Sequence, residues 1–202
     1  MTRKQPGKLT QREKDLVHTL LNGECDMRMP SRLVEAFIAG GERVRLRRGQ
    51  TLIGIGDTDD NLYIVLEGVM RVWYLNGKQE VTFTFGMPGS IVHPMHCYYR
   101  NEASSENYTA CCPVKLLKIR KEHYDELLRQ DHEFALWNLR LAQCQVYHYE
   151  MRRKEIKGDA RERYNAMVRH RPDIVRIVPL KVIASYLGIT PEYLSSLRAI
   201  ND

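Results

Sequence analysis

The segment His93-Pro-Met-His96-Cys97 puts two imidazoles and a thiol within five residues, donors that suit zinc, copper or iron. Pro94, however, breaks any helix that would align them, and the spacing matches no zinc motif. A roll-shaped metalloenzyme would want a His-x-His pair with a glutamate close by, which this order does not supply. The five cysteines, Cys25, Cys97, Cys111, Cys112 and Cys144, are odd in number and form no C-x-x-C pair. They read as reduced structural thiols rather than a metal site or disulfide framework. No nucleophile stands out with its base, so the sequence nominates no catalytic residue, no metal ligand and no cofactor, and does not read as an enzyme. Trp73, Tyr74, Tyr98 and Tyr99 can either line a small-molecule pocket or pack on strands.

The recognition chemistry is concentrated at the end of the chain. From Pro179 to Arg198 the residues fit a helix-turn-helix position by position. Ala184 falls where two helices cross, and only a small side chain fits there. Gly188 falls at the turn, where positive φ is needed. Thr190 suits an N-cap and Pro191 the first helical position, so a fresh helix starts there. Ile183, Leu187, Ile189, Leu194 and Leu197 are the apolar residues that lock the pair. The second helix of such a motif enters the major groove of DNA. Its candidate readers are Glu192, Tyr193, Ser195, Ser196 and Arg198, with Thr190 and Lys181 at its margins. Glu192 can accept from cytosine N4, and the serines can bond either base. Lys181, Arg161, Arg163, Arg169, Arg171, Arg176 and Arg198 are candidates for phosphate.

Charge placement agrees. Residues 151–202 hold 11 Lys/Arg against 6 Asp/Glu, whereas residues 1–150 hold 20 against 19, so nearly all of the net +6 lies in the last quarter. That bias favours a polyanionic partner. The basic N-terminus is followed by no apolar run, and no stretch is long and apolar enough for a membrane helix. The expected location is cytoplasmic, with no membrane partner.

Other elements must position this motif. Thr10-Gln-Arg-Glu13 has the form of a capping box and opens a short helix. A second helix runs through Leu33, Val34, Phe37 and Ile38 and stops at Gly40-Gly41. From Glu42 the apolar period becomes two, and many short strands with glycine punctuation follow over about 80 residues, predicting an antiparallel roll. Asn76-Gly77 reads as a type I′ hairpin turn. After Arg120 the pattern is helical. Asp131 caps a long helix reaching about Lys157, along which Phe134, Trp137, Leu141, Cys144, His148 and Met151 follow alternating steps of three and four. That seam predicts a parallel homodimer, although packing against the chain's own roll has the same signature. Asp159 caps the next helix, which Pro172 breaks.

The order of roll, long helix and terminal helix-turn-helix resembles the Crp/Fnr family of transcription regulators over most of the chain. Gly49-Gln-x-Leu-Ile-x-x-Gly-Asp57 and Leu62-Tyr-x-Val-x-x-Gly68 are similar to cyclic-nucleotide-binding-type rolls. Ala184-Ser-Tyr-Leu-Gly-Ile-Thr-Pro-Glu192, with Glu162-Arg-Tyr164 and Val178-Pro-Leu180 upstream, resembles the Bacteroidetes-type members. The resemblance implies a homodimer on a two-fold operator with half-sites about one helical turn, ~34 Å, apart. Three departures stand out. The stretch from Gly86 to Arg100, where the nucleotide-binding members carry their phosphate cassette, has no Gly-Glu pair, and Arg100 is followed by Asn101-Glu102 rather than Ser/Thr-Ala. This argues against a cyclic nucleotide held in the usual way. Cys25 stands alone where the oxygen-sensing members cluster cysteines. Ser196 stands where the family usually has arginine, and the chain stops soon after Arg198, without the hairpin wing many members add.

The expected architecture is α+β: an antiparallel, cyclic-nucleotide-binding-like β-roll with flanking helices (1–130), a linker and dimerisation helix (131–157) and an all-α helix-turn-helix domain (158–202). The expected function is a homodimeric transcription regulator that binds double-stranded DNA. A small-molecule effector, if used, is placed at Gly89, Ser90, Ile91, His93, Tyr99 and Arg100. The alternative is a small-molecule-binding or protein-interaction module with a weakened DNA-binding domain.

Overall fold

The computed structural model describes residues 3–5, 9–23, 25–155 and 158–201, with backbone only at 3–5, 148, 152–155, 200 and 201. Among these, nine strands form two antiparallel sheets that close into a roll. One sheet runs β1 (Arg3–Gln5), β2 (Glu42–Leu46), β9 (Val114–Ile119), β4 (Leu62–Glu67), β7 (Ile91–Val92). The other runs β3 (Thr51–Ile53), β8 (Asn107–Ala110), β5 (Met70–Asn76), β6 (Gln79–Gly86).

Burial explains the unbroken apolar run of β4. Tyr63 and Val65 point into the roll beside Val44, Met70, Val72, Val92, Tyr108 and Leu116. Leu62, Ile64 and Leu66 face outward, yet they are covered by helices α1 (Gln11–Gly23), α2 (Ser31–Ile38), α3 (Lys121–Gln130) and α4 (His132–Glu155). A strand covered on both faces has no polar side to show. The capping box at Thr10 forms as expected, with the Thr10 N–H donating to Glu13 Oε2 at 2.8 Å and the Glu13 N–H to Thr10 Oγ1 at 3.3 Å. Glu13 also accepts from Arg43 on β2 at 2.6 and 2.5 Å, tying the first helix to the roll.

The hairpin is shifted by one residue from its expected centre. Asn76 pairs with Gln79, so Gly77 and Lys78 form the loop. Only Gly77 has positive φ, at 62°. A type I′ turn needs two such residues, whereas one glycine at the first central position suits type II′. Between His96 and Arg100 the chain makes a π-helical turn, ended by Asn101 in the left-handed region, whose N–H reaches His96 O. Nothing in the sequence had marked that turn, nor the short strands β1 and β7.

Helix α4 starts where expected, with the Phe134 N–H donating to Asp131 Oδ1 at 2.9 Å. Its expected seam, however, faces the chain itself. Phe134 and Trp137 have no exposed surface and lie among Phe37, Leu33, Leu62 and Ile119. Leu141 packs against the same cluster, and the Cys144 thiol reaches Asp26 Oδ1 at 3.8 Å. The four residues Phe134, Trp137, Leu141 and Cys144 are thus occupied within the protomer. Met151 is half-buried, and the side chain of His148 lies outside the described residues. The opposite face carries Leu139, Val146 and Tyr149, each more than half exposed, with Ala135 one turn before them and Ala142 among them.

Beyond α4, Asp159 makes a capping box with Glu162 and opens α5 (Ala160–His170). Pro172 does more than end it: as the first residue of α6 (Pro172–Ile177) it starts the next turn, where its missing N–H costs nothing. Helices α7 (Leu180–Leu187) and α8 (Pro191–Asn201) complete the chain.

Candidate nucleic-acid interface

The α7–α8 pair is built by the residues that the sequence nominated. Ala184, Ile183 and Leu194 have no exposed surface, and Leu187 and Leu197 close the same core. Gly188 takes φ +66° and sends its N–H back to α7, as a left-handed C-cap should. Thr190 then accepts the Tyr193 N–H on its hydroxyl at 3.2 Å, opening α8. A β-branched or large residue at Gly188 or Ala184 has no place in this geometry.

The outer surface of α8 displays Glu192, Tyr193, Ser195 and Ser196, with Thr190 and Lys181 also exposed. Ser196 donates its hydroxyl to Glu192 O at 3.1 Å, a local bond that a competing base edge can replace. Arg198 is placed differently from the expectation. Its guanidinium turns back over the Tyr164 ring at 5.9 Å and donates to Val175 O at 3.4 Å. It is therefore a strut between α8, α5 and the end of α6, not a free reader. Arg163 has a similar task, donating to Gly158 O at 2.9 Å and Leu187 O at 3.0 Å. Arg176 pairs with Asp173 at 2.7 Å and stays exposed, as do Arg161 and Arg169.

The helix-turn-helix is docked on the roll. Val69, Phe85 and Cys111 of the roll share one apolar cluster with Tyr164, Met167, Ile174, Ile183 and Leu194. Phe85 and Tyr186 meet at 5.2 Å between ring centres. Burial here pushes the Cys111 thiol up to about 12, so it stays protonated and behaves as a small apolar side chain. A polar contact sits at the edge of this cluster. The Ser185 hydroxyl accepts the Thr82 N–H at 2.9 Å and donates to Glu80 O at 2.8 Å. Strand β6 is the edge of its sheet, so Ser185 occupies the place of a neighbouring strand. Arg71, nearly buried beneath, binds Thr82 Oγ1 at 2.9 Å and Glu80 at 2.7 Å, and lies 4.9 Å from the Trp73 ring centre. Nothing in the sequence singled out Ser185 or Thr82, because their contact joins residues 103 positions apart, nor Arg71, whose partners are set beside it only by the pairing of β5 with β6.

The residues expected to form an effector pocket do not converge. Gly89 is buried, its N–H bonding Val65 O at 2.9 Å, and the Ser90 hydroxyl accepts the Met87 N–H at 3.1 Å. Both hold the loop rather than face a cavity. Ile91 packs outward against the helices. His93 packs its ring edge-on against Tyr98 at 5.3 Å, burial lowers its pKa, and its Nδ1 has no hydrogen-bond partner among the described residues. Tyr99 is 77% exposed, and Arg100 reaches into solvent toward Glu102 at 3.5 Å. The wide π turn carries these last two away from the roll interior. His96 also faces Glu102, while the Cys97 thiol donates to Asp57 O at 3.4 Å, so the three donors of the metal-like segment diverge. The aromatic set is divided as well: Trp73 bonds Thr109, Tyr98 bonds Asp125, and Tyr74 and Tyr99 are exposed.

Residues 43–131 match the family model of the cyclic nucleotide-binding domain. The chain is 28% identical over 166 residues to the nitrogen fixation regulation protein FixK of Bradyrhizobium diazoefficiens, covering 77% of this chain and 69% of that protein. In fold it is similar to FixK2 from Bradyrhizobium japonicum, with TM-score 0.66 and 15% identity, covering 79% of this chain and 83% of that one. It is also similar to the c-di-GMP-responsive global regulator CLP of Xanthomonas campestris, with TM-score 0.64 and 16% identity, covering 84% and 90%. The roll is thus a cyclic nucleotide-binding fold, and most of the chain is similar to Crp/Fnr-type regulators. No helix among the described residues is long and apolar enough to cross a membrane.

Proposed function

We propose that this chain, a cyclic nucleotide-binding fold joined to a helix-turn-helix of Crp/Fnr type, is a cytoplasmic transcription regulator that binds double-stranded DNA, not an enzyme. The observation that carries this reading is the α7–α8 pair itself. Its core residues are buried and its turn glycine is left-handed, while Glu192, Tyr193, Ser195 and Ser196 are exposed along one surface. Those four residues, flanked by Thr190 and Lys181, are the proposed base and phosphate contacts. Arg198 supports them from behind.

Homodimerisation belongs to the same reading, with its seam moved to the outer face of α4. Ala135, Leu139, Ala142, Val146 and Tyr149 alternate by four and three and leave apolar surface exposed. A helix bearing such a stripe is stabilised by covering it with a second copy. A parallel pair would bring two recognition helices onto two half-sites. The input to the roll is not a cyclic nucleotide gripped in the usual manner. Supporting this, Tyr63 and Tyr108 pack inside the roll and Arg100 points out of it.

The test is binding of the full chain to genomic DNA fragments. Enriched fragments should be retained at low salt and released steeply as salt rises. The variant Glu192→Ala/Tyr193→Ala/Ser195→Ala should lose the enrichment while keeping its thermal stability. Binding without sequence preference in both proteins would refute the assignment of α8 as the reader.

A further inference from the structure

A row of arginines on the roll has no ion-pair partner among the described residues. Arg45 on β2 lies in register between Arg3 on one neighbouring strand and Lys115 on the other. Like charges placed directly opposite each other across a sheet are destabilising. The surrounding basic residues have acidic partners: Arg43 has Glu13, Lys115 has Glu67, and Arg120 has Glu42. Arg45, Arg47 and Arg48 are all exposed, and among the described residues no carboxylate pairs with them.

Their position is also specific. Arg47 to Gln50 form a tight turn, with the Gln50 N–H donating to Arg47 O at 3.0 Å and Gly49 at φ +77°. That turn is pinned to the end of β8 by the Gly49 N–H to Ala110 O bond at 2.7 Å and the Ala110 N–H to Gln50 O bond at 2.9 Å. The next residue, Cys111, belongs to the cluster on which the helix-turn-helix is seated. The arginine turn is therefore held rigidly at the end of the roll that carries the DNA-reading domain. Two guanidiniums on a fixed turn and a third on the strand leading into it, none with a carboxylate partner among the described residues, suit the phosphates of a duplex, which offer regularly spaced oxygens to each fork.

We propose that Arg45, Arg47 and Arg48 form a second polyanion contact, on the roll, for the phosphates of duplex DNA lying beyond the stretch covered by α8. This rests on the DNA-binding reading above. The contact reads no bases; it lengthens the footprint and makes affinity depend on flanking DNA.

The test compares the full chain, the variant Arg45→Gln/Arg47→Gln/Arg48→Gln, and a charge-matched control, Arg12→Gln/Arg28→Gln/Arg129→Gln, whose exposed arginines lie in the helical layer on α1, the loop after it and α3. Fluorescence anisotropy is read on a 20-base-pair and a 50-base-pair duplex of one arbitrary sequence, across roughly 50–250 mM salt, where each phosphate contact contributes about 0.9 to the slope of log K against log salt. The expected result is a slope shallower by roughly 2–3 for the roll variant on the long duplex only. Its preference for the long duplex should fall several-fold, and the control should match the unmodified chain. Equal slopes for all three proteins, or equal losses in the variant and control, overturn the proposal while leaving the α8 reading intact. An unmodified chain that binds neither duplex nor genomic DNA at low salt overturns both.

Discussion

Replacing Ser185 with alanine removes the hydroxyl that joins α7 to both Glu80 and Thr82 of β6, so its cost can be worked out before it is measured. Thr82 is 4% exposed, so its N–H loses a partner that water does not replace. An unsatisfied buried donor costs about 1–3 kcal/mol. Glu80 lies at an exposed position, so its carbonyl regains water and adds about 0.5 kcal/mol at most. Against this, alanine is the better helix former by about 0.5 kcal/mol within α7. The balance is about 1.5 kcal/mol of destabilisation. For a chain of this size that lowers the melting temperature by about 3–6 °C. The Phe85–Tyr186 contact remains, so the junction loosens without separating. Amide hydrogen exchange supplies the local readout: exchange at Thr82 should accelerate about tenfold, since 1.4 kcal/mol is one decade. Ser195→Ala, on the exposed surface of α8, is the control and should stay within about 0.5 kcal/mol of the unmodified chain. If Ser185→Ala and Ser195→Ala show the same melting temperature and the same Thr82 exchange, the edge-strand reasoning is wrong.

Further expectations follow from the same geometry. Arg198→Ala should lower stability by about 1–2 kcal/mol, through the lost carbonyl bond and ring contact, yet leave the salt slope of DNA binding unchanged; a slope shallower by one phosphate would return Arg198 to the interface. Leu139→Asp/Val146→Asp should weaken self-association by roughly 10⁴-fold or more, from about 1.5–3 kcal/mol for each of the four side chains covered in the dimer, with the melting curve of the monomer preserved. Trp137→Ala, by contrast, should cost about 3–5 kcal/mol of folding stability, and sedimentation with thermal melting separates the two outcomes. The Arg43 guanidinium bonded to Glu13 holds that carboxyl down at about 2. A depressed carboxylate contributes stability above its unfolded value of 4.5, and that contribution fades as pH falls from about 4.5 toward 2. Screened by solvent, the pair is worth about 1 kcal/mol. Glu13→Gln should therefore flatten the acid limb of the stability profile in that window, and an unchanged limb would show that the pair contributes nothing.

The helix-turn-helix was legible residue by residue because its geometry is local. A small residue at the crossing, a glycine with positive φ and a Thr-Pro start each impose their conformation within a few bonds. The direction of α4 was not legible for a physical reason. Two interleaved apolar stripes run along it, Phe134–Trp137–Leu141–Cys144 and Ala135–Leu139–Ala142–Val146–Tyr149, and both obey the same period. Periodicity says that a helix has a buried face; with two candidates, only the bulk of Phe134 and Trp137 against Phe37 and Tyr124 decides which. The placement of the expected effector residues was hidden for another reason. They were placed by alignment to a cassette, whereas a π turn, which no residue type announces, swings Tyr99 and Arg100 outward. Ser185 was invisible because its partners, Thr82 and Glu80, come from the roll about 100 positions away, and Arg71 because only the pairing of β5 with β6 sets it beside Thr82 and Glu80.

The π turn also sets where this chain can change length. A strand such as β4, buried on both faces, would exchange its inward and outward side chains if one residue were lost, destroying two cores at once. The turn from His96 to Arg100 holds one residue more per hydrogen-bonded loop than an α-turn does. Removing Tyr99, whose ring is mostly solvated, would let the segment close as an ordinary helical turn with little loss of packing. Deletions and insertions of a single residue are therefore expected to accumulate at this point of the surface, and to be purged from the strands on either side.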